Sequence, residues 1–272
     1  MSYDFYFLEC AAETVFAEFY LNDIPIIVRG PVLGMYSDGA VNQFLINGEN
    51  TLSMLIRPGE TPAEARTGTN NEKVKIQPKT DKASVRLVGY PYGALSGGPE
   101  GTEIFRLDWN GHPEDEFEFP LEISGKVNLG DLNSGWSWQE APVIELNEET
   151  RKSIHEFLVA ARKDLSEGKA EAHIDRVRPH LRELARAYDS RASTKMNMIR
   201  EALKEDMAKP GFGFEELDPK EYSLRLCAGG RMVQCIGKDW EPLIKELPDP
   251  EGNSGSYEMM LARLDGEWKV VR

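Results

Sequence analysis

The clearest periodic pattern in the chain is a block of amphipathic helices between Asn147 and Pro210. Apolar residues recur there every three or four positions in three successive periods, and Gly168 separates the first period from the second. Asn147 occupies an N-cap position, where its side-chain oxygen can accept a backbone N–H, and Glu148 places negative charge at the positive end of the helix dipole. The pattern predicts three helices within residues 147–210.

Residues 1–146 show a different pattern, in which short apolar runs alternate with turn-forming residues. Two of these runs are Val41–Ile46 and Thr51–Ile56, and Asn47-Gly48 between them tolerates the positive φ angles of a tight hairpin turn. Short strands of this kind, separated by turns, are typical of two packed antiparallel sheets. This part of the chain is therefore predicted to form a β-sandwich.

Strand patterning returns after the helices. Tyr222–Cys227 and Arg231–Ile236 flank Gly229-Gly230, and a second hairpin turns at Asp265-Gly266. Helices followed by an antiparallel sheet indicate an α+β domain.

Together these patterns predict an α+β protein of two domains. We expect an N-terminal antiparallel β-sandwich over 1–146 and an α+β domain over 147–272, divided into helices over 147–210 and an antiparallel sheet over 220–272. At 272 residues the chain is long enough for each domain to bury a core of its own.

Residues 20–56 resemble part of the jelly-roll domains of the sugar-binding type that are appended to glycoside hydrolases. The resemblance lies in Tyr20–Ile26 and Val41–Leu52, where a short strand is followed by the turn Asn47-Gly48-Glu49-Asn50 and an apolar strand. It implies a jelly-roll-like β-sandwich. Such domains bind carbohydrate or serve as scaffolds.

Residues 222–272 are similar to the end of nuclear-transport-factor-like domains, which have a cystatin-like cone. The turn Asp265-Gly266-Glu267-Trp268 carries the similarity, because in that family such a turn joins two long strands that wrap a pocket. In this interpretation the candidate pocket residues lie on or beside the first hairpin: Tyr222, Arg225, Arg231 and Trp240. The arginines can hold a ligand carboxylate with two hydrogen bonds.

The net charge of −14 is unevenly distributed. Residues 1–146 hold 10 Lys and Arg against 22 Asp and Glu, whereas residues 147–272 hold 22 against 24. An acidic first half disfavours nucleic acid and anionic membranes as partners and is compatible with a basic protein partner. The sequence has no apolar run of 18 residues, so we expect no membrane insertion.

The first 22 residues contain no Lys or Arg and therefore lack the basic start of a signal peptide. We expect a cytoplasmic protein, and a periplasmic one if a signal peptide has been removed. The three cysteines fit reduced thiols, and Cys227 with Cys235 is the alternative disulfide across the predicted hairpin. The sequence leaves the oligomeric state open.

No catalytic motif is present, neither a Gly-Xaa-Ser-Xaa-Gly elbow nor a phosphate-binding loop. Four histidines are available, and His173 with His180 is the one pair spaced near two helical turns, although Pro179 lies between them. We therefore assign no catalytic residue, no cofactor and no metal ligand, and a non-enzymatic role is favoured.

Two groups of residues are candidates for partner binding. The acidic run after His112 comprises Glu114, Asp115, Glu116 and Glu118. The aromatic group comprises Tyr92, Trp136 and Trp138, since aromatics on loops anchor interfaces or stack on sugars. The alternative is that the two tryptophans lie buried at the seam between the domains.

The predicted function is a non-catalytic acidic binding protein that recognises a basic protein, in the manner of a bacterial toxin-neutralising immunity protein. One alternative is a small-ligand-binding or isomerase-like cone in the second domain. A second alternative is a carbohydrate-binding module in the first.

Overall fold

The chain folds as an α+β protein, as predicted. A computed structural model describes residues 3–30, 33–57, 61–66, 74–75, 82–110, 116–130, 132, 134–209 and 211–272. It divides into two compact units, Met1–Gly135 and Trp136–Arg272. The division falls before Trp136, earlier in the chain than the predicted boundary after residue 146.

The first unit is built from antiparallel strands. Ten are present in its described residues: β1 Phe5–Ala12, β2 Ala17–Leu21, β3 Ile24–Arg29, β4 Tyr36–Ala40, β5 Gly48–Ile56, β6 Val74–Lys75, β7 Lys82–Tyr90, β8 Thr102–Asn110, β9 Glu116–Phe117 and β10 Leu121–Leu129. Two four-stranded sheets have the orders β4-β1-β7-β8 and β10-β5-β2-β3, and β6 pairs with β9.

The two four-stranded sheets contribute to one hydrophobic core. Along β1 the side chains of Leu8 and Cys10 point inward, and those of Phe7 and Glu9 point to the opposite face, as the alternation of a strand requires. Phe19 of the other sheet is completely buried in the same cluster. Burial of one face of each sheet thus holds this unit together.

The predicted strand Val41–Ile46 is wrong. Val41 is followed by a short 3₁₀ helix, Asn42–Phe44. The reason is local hydrogen bonding: the Asn42 Oδ1 atom accepts the Tyr6 N–H at 2.7 Å, and the Asn50 side chain bonds both the N–H and the carbonyl oxygen of Ile46. These amide side chains compete with a strand ladder for the backbone groups.

The second unit has helices first and a sheet afterwards. Its elements are α1 Ser137–Glu140, α2 Glu148–Ser166, α3 Ala170–Ala187, α4 Ala192–Met207, β11 Tyr222–Cys227, β12 Met232–Gly237, β13 Ile244–Lys245, β14 Ser256–Tyr257, β15 Met259–Leu264 and β16 Glu267–Val270. The order of the four-stranded antiparallel sheet is β11-β12-β15-β16, and β13 pairs with β14. The three helices predicted within 147–210 are α2, α3 and α4.

The N-cap prediction for α2 is confirmed. Asn147 Oδ1 accepts the Thr150 N–H at 2.9 Å, and the first turn carries two glutamates. The buried face of α2 includes Ile154 and Leu158, which belong to the same core cluster as Val233 and Leu261 of the sheet. Helix periodicity thus places the apolar face of α2 in the core of the second unit.

All three cysteines are unbridged and buried. In the hairpin, Cys227 pairs with Met232, and Cys235 pairs with Leu224. Because Leu224 and Cys227 are three residues apart on one strand, the two thiols point to opposite faces of the sheet. The alternative disulfide is therefore excluded by the strand register.

Candidate functional site

Part of the predicted acidic surface lies outside the described residues. This applies to Glu114 and Asp115, together with His112. Glu116 lies in β9, opposite Lys75 of β6. Glu118 is described and its side chain is exposed. Of the four predicted acids, Glu118 is thus the one whose side chain is seen at the surface.

The two tryptophans are not available to a partner. Trp136 is 0% exposed and Trp138 is 5% exposed. The guanidinium groups of Arg186 and Arg272 lie 4.5 and 5.5 Å from the centroid of the Trp136 ring. Cation–π contacts of this kind favour burial of the ring among residues of the second unit. The prediction that these residues bind a partner is wrong for this reason.

Tyr92 is the predicted aromatic that does reach solvent. Its side chain is 84% exposed, and that of Leu95 is 80% exposed. Both lie on residues 91–101, the connection between β7 and β8, which we call the pinned loop. Gly93 and Gly97 have φ angles of +84° and +73°, so the loop uses a conformation that favours glycine.

Three hydrogen bonds hold the pinned loop to the first sheet. The Tyr92 N–H donates to Asp4 Oδ2 at 2.8 Å, and the Gly97 N–H donates to the Tyr90 hydroxyl at 2.7 Å. The Ser96 hydroxyl donates to the Asp38 carboxylate. The exposed side chains are therefore carried by an anchored backbone.

A row of charged side chains crosses all four strands beside the pinned loop. Glu9 is paired with Asp38 on one side and with Arg86 on the other, and Arg86 is paired with Arg106. Paired residues of an antiparallel sheet share a face, so these four side chains lie on the face opposite the core. We call them the charged row.

Glu9 links the charged row to the pinned loop. Its side chain is 1% exposed, and its carboxylate accepts the Arg86 Nε–H and the Tyr90 O–H, each at 2.7 Å. Burial of Tyr90 and its hydrogen bond to Glu9 raise the pKa of the phenol. The Tyr90 hydroxyl thus donates to Glu9 and accepts from the loop.

The predicted pocket residues of the second unit do not line one pocket. Tyr222 lies beside α2, where its hydroxyl is 2.9 Å from His155 Nδ1. Arg225 is three residues further along the same strand, so it points to the opposite face, where its guanidinium lies 5.4 Å from the Trp240 ring centroid. Arg231 donates to the carbonyl oxygen of Ala141. Tyr222 thus lies on one face of the sheet and Arg225 with Trp240 on the other, so the four side chains do not surround one cavity.

A cavity of about 450 Å³ lies elsewhere in the second unit. We call it the acidic cavity, because its lining includes the carboxylates of Asp206, Glu246 and Asp249. Phe212 and Tyr257 contribute aromatic rings. Its residues come from the end of α4, from the chain that follows, and from the β13–β14 hairpin, so no sequence motif marks it. The turn-rich run 249–255 is the one local signal.

The histidines offer no metal centre in the part of the chain that the structure describes, where no three His, Cys, Asp or Glu side chains are grouped as a metal site requires. His173 and His180 both lie on α3, where burial lowers the pKa of each to about 4. Both rings are therefore neutral at physiological pH.

The charge asymmetry persists when the chain is divided by its compact units. Residues 1–135 hold 20 Asp and Glu against 10 Lys and Arg, and residues 136–272 hold 26 against 22. Among the described helices, none combines the length and the apolar character needed to cross a membrane. Comparison of the chain with protein-family models, with curated proteins and with solved structures gives no match.

Proposed function

We propose that this protein is a non-catalytic acidic binding protein and that its first unit recognises a basic protein partner through the pinned loop. The observation that carries the proposal is the exposure of Tyr92 and Leu95 on a backbone fixed by hydrogen bonds. Tyrosine is enriched among the few residues that dominate an interface, and the neighbouring Leu95 adds apolar surface beside it.

Anchoring matters because a flexible loop would lose conformational entropy on binding. Each side chain with many rotamers that an interface immobilises costs about 0.5–1.5 kcal/mol of binding free energy. The bonds to Asp4 and Tyr90 hold the loop backbone before any partner arrives. This favours tight binding through a small contact area.

Charge supports a basic partner. Glu100 and Glu103 are exposed at the end of the pinned loop and the start of β8. They are part of the net charge of −10 over residues 1–135, and this charge creates a field that speeds encounter with a positive surface and disfavours an acidic one. Neutralisation of a basic toxin is the biological role that we propose for such binding.

At the finer level of fold, we propose a β-sandwich for the first unit. Two four-stranded antiparallel sheets around one core support it. The jelly-roll class of that sandwich and a cone-like second unit remain predictions from the sequence. The cone-like prediction is supported by the order of elements in the second unit, where helices precede a four-stranded antiparallel sheet.

Carbohydrate binding is less well supported than protein binding. A sugar-binding platform needs aromatic rings open to solvent. Of the three predicted aromatics, Trp136 and Trp138 are buried, which leaves Tyr92. One ring together with Leu95 is better suited to an apolar pocket on a protein.

The proposal is tested by capture of binding proteins from the native cells. The bait is the tagged full chain, as wild type, as the double variant Tyr92→Ala/Leu95→Ala, and as the control Met198→Ala, which removes an exposed apolar side chain from α4 of the other unit. We expect one stoichiometric basic protein on the wild type and on the control, and its loss from the double variant. Retention of the same protein by the double variant would refute the role of the pinned loop.

A further inference from the structure

The acidic cavity is a candidate ligand site of its own. Its volume of about 450 Å³ lies in the usual range for small-molecule pockets, roughly 300–1,000 Å³. Its lining combines aromatic surface from Phe212 and Tyr257 with three carboxylates. We propose that this cavity binds a small organic cation, in which an ammonium group is joined to an aromatic or aliphatic body. The inference does not rest on the proposed function, because the pinned loop belongs to the other unit.

The charge of the lining favours a cation. Among the described lining residues, Lys209 carries the only positive charge. Its Nζ atom lies 2.6 Å from Asp206 Oδ1, so these two charges compensate each other. The hydrogen bond that Lys209 donates to Asp206 raises the pKa of Lys209, and the charges of Glu246 and Asp249 raise it further. The cavity therefore retains a negative field that attracts a second cation.

Glu246 is the carboxylate best placed to meet that cation. Its Oε2 atom accepts the Gly255 N–H, and its Oε1 atom accepts the Tyr257 O–H, both at 3.2 Å. These bonds fix the orientation of the carboxylate, and each oxygen keeps a second lone pair for a ligand. None of the ion pairs within the described residues of the second unit involves Glu246.

Asp249 has a different part in the site. Its Oδ1 atom accepts the N–H groups of Glu251 and Asn253 at 2.9 and 2.8 Å, so the side chain shapes its own loop. It adds negative charge to the cavity, and its Oδ2 atom accepts an N–H of the Asn253 side chain at 3.4 Å. Glu246 is hydrogen-bonded to Tyr257 of the aromatic lining, so we expect the ligand ammonium at Glu246.

The rings of Phe212 and Tyr257, which we call the aromatic wall, pack against other aromatic rings of the second unit. The Tyr257 ring lies 5.6 Å from the His173 ring and 5.8 Å from that of Phe214, and the rings of Phe214 and Phe212 are 5.4 Å apart. A packed ring presents its exposed part to a ligand at little entropic cost, and its face attracts a cation. The wall and Glu246 thus suit an amine with an apolar body.

Two probes of the same shape test the proposal on the full chain. 2-Phenylethylamine is protonated at neutral pH, and 2-phenylethanol is neutral. We expect the amine to shift the backbone amide resonances of Gly255 and Tyr257 and to bind at least about tenfold more tightly than the alcohol. The same affinity for both probes, or unchanged resonances with the amine at a concentration on the order of 10 mM, would overturn the proposal.

A pair of charge-matched variants locates the site. Glu246→Gln removes the proposed contact, and Glu251→Gln removes one charge from the same loop outside the lining. We expect the first variant to weaken amine binding about tenfold and the second less than about twofold. Similar losses in both would show that general surface charge attracts the amine, which contradicts a site at Glu246.

A third variant keeps Glu246 in place, in case its replacement disturbs the hairpin. Ser254→Lys introduces a competing ammonium group into the lining. We expect a loss of amine binding of about tenfold or more, and unchanged binding would overturn the proposal. Tyr92→Ala/Leu95→Ala should leave amine binding unaltered, so the failure of one proposal does not decide the other.

Discussion

At the scale of single residues, the carboxylate of Glu9 holds together the outer face of the first sheet. It is buried on the face opposite the core, where it accepts hydrogen bonds from Arg86 and Tyr90. Tyr90 in turn accepts the Gly97 N–H of the pinned loop. A buried carboxylate is tolerated because charged and hydroxyl donors replace the water that it loses.

Glu9→Ala should therefore destabilise the protein. The Tyr90 hydroxyl loses its acceptor inside the structure, whereas Arg86, which is 40% exposed, can turn to water. We expect the free energy of unfolding to fall by about 2 kcal/mol. Urea denaturation measures it, with Glu103→Ala at an exposed position as the control, where about 0.5 kcal/mol or less is expected. If Glu9→Ala and Glu103→Ala lower the free energy of unfolding by the same small amount, Glu9 does not stabilise this face.

The buried histidines make stability depend on pH. Burial lowers the pKa of His173 and of His180 from 6.5 to about 4, so the unfolded chain binds protons that the folded chain does not. The contribution of each neutral ring is complete above pH 6.5 and is lost as the pH falls towards 4. We expect the free energy of unfolding to decrease by up to about 1.4 kcal/mol per pH unit for each histidine in that window.

Urea denaturation at several pH values between 7 and 4.5 measures this slope. His173→Phe keeps a ring beside Tyr257 and removes one titrating group, so its slope should be the shallower one. A wild-type stability that does not change between pH 6.5 and 5 would contradict the buried, neutral state of both rings.

At the scale of elements, the beginning of α2 depends on one side chain. Asn147 Oδ1 accepts the Thr150 N–H, which otherwise has no partner within the helix. Asn147→Ala should lower the free energy of unfolding by about 1 kcal/mol. Asn147→Asp keeps an acceptor at the N-cap and should be close to neutral. A loss in both variants, seen in thermal or urea denaturation, would mean that the amide group is needed for another reason.

The three helices could be predicted from the sequence, whereas the structure of the run Val41–Ile46 could not. The apolar periods and the N-cap of α2 are local signals, so residues 147–210 specify their helices without knowledge of the rest of the fold. The run Val41–Ile46 looks like a strand by composition, but the side chain of Asn50 bonds the backbone of Ile46. That contact depends on the folded loop and cannot be derived from alternation.

The candidate sites were predictable only where exposure follows from local sequence. Tyr92 stands among glycines and prolines, which marks it as a loop residue. Trp136 stands in a similar context and is nevertheless buried, because Arg186 and Arg272 come from distant parts of the chain to cover it. The charged row depends on strand register, and the acidic cavity depends on the meeting of separate segments. Neither feature can be predicted from the pattern of residues in a single sequence.

At the scale of the whole molecule, the two compact units differ in charge and in the kind of surface they offer. The first carries a net charge of −10 and presents the pinned loop beside the charged row. The second is close to balanced, at −4, and contains the acidic cavity. A protein-binding unit joined to a unit that binds a small cation is the organisation that we propose.

Capture of the partner at two ionic strengths tests whether the acidic first unit binds a basic protein. The wild-type chain is exposed to native cell extract at about 0.1 M salt, where exposed charges act over roughly 10 Å, and again at about 1 M, where they act over roughly 3 Å. We expect one stoichiometric protein of basic isoelectric point that is bound at low salt and strongly depleted at high salt. A partner of acidic isoelectric point, or one held equally at both salt concentrations, would contradict it.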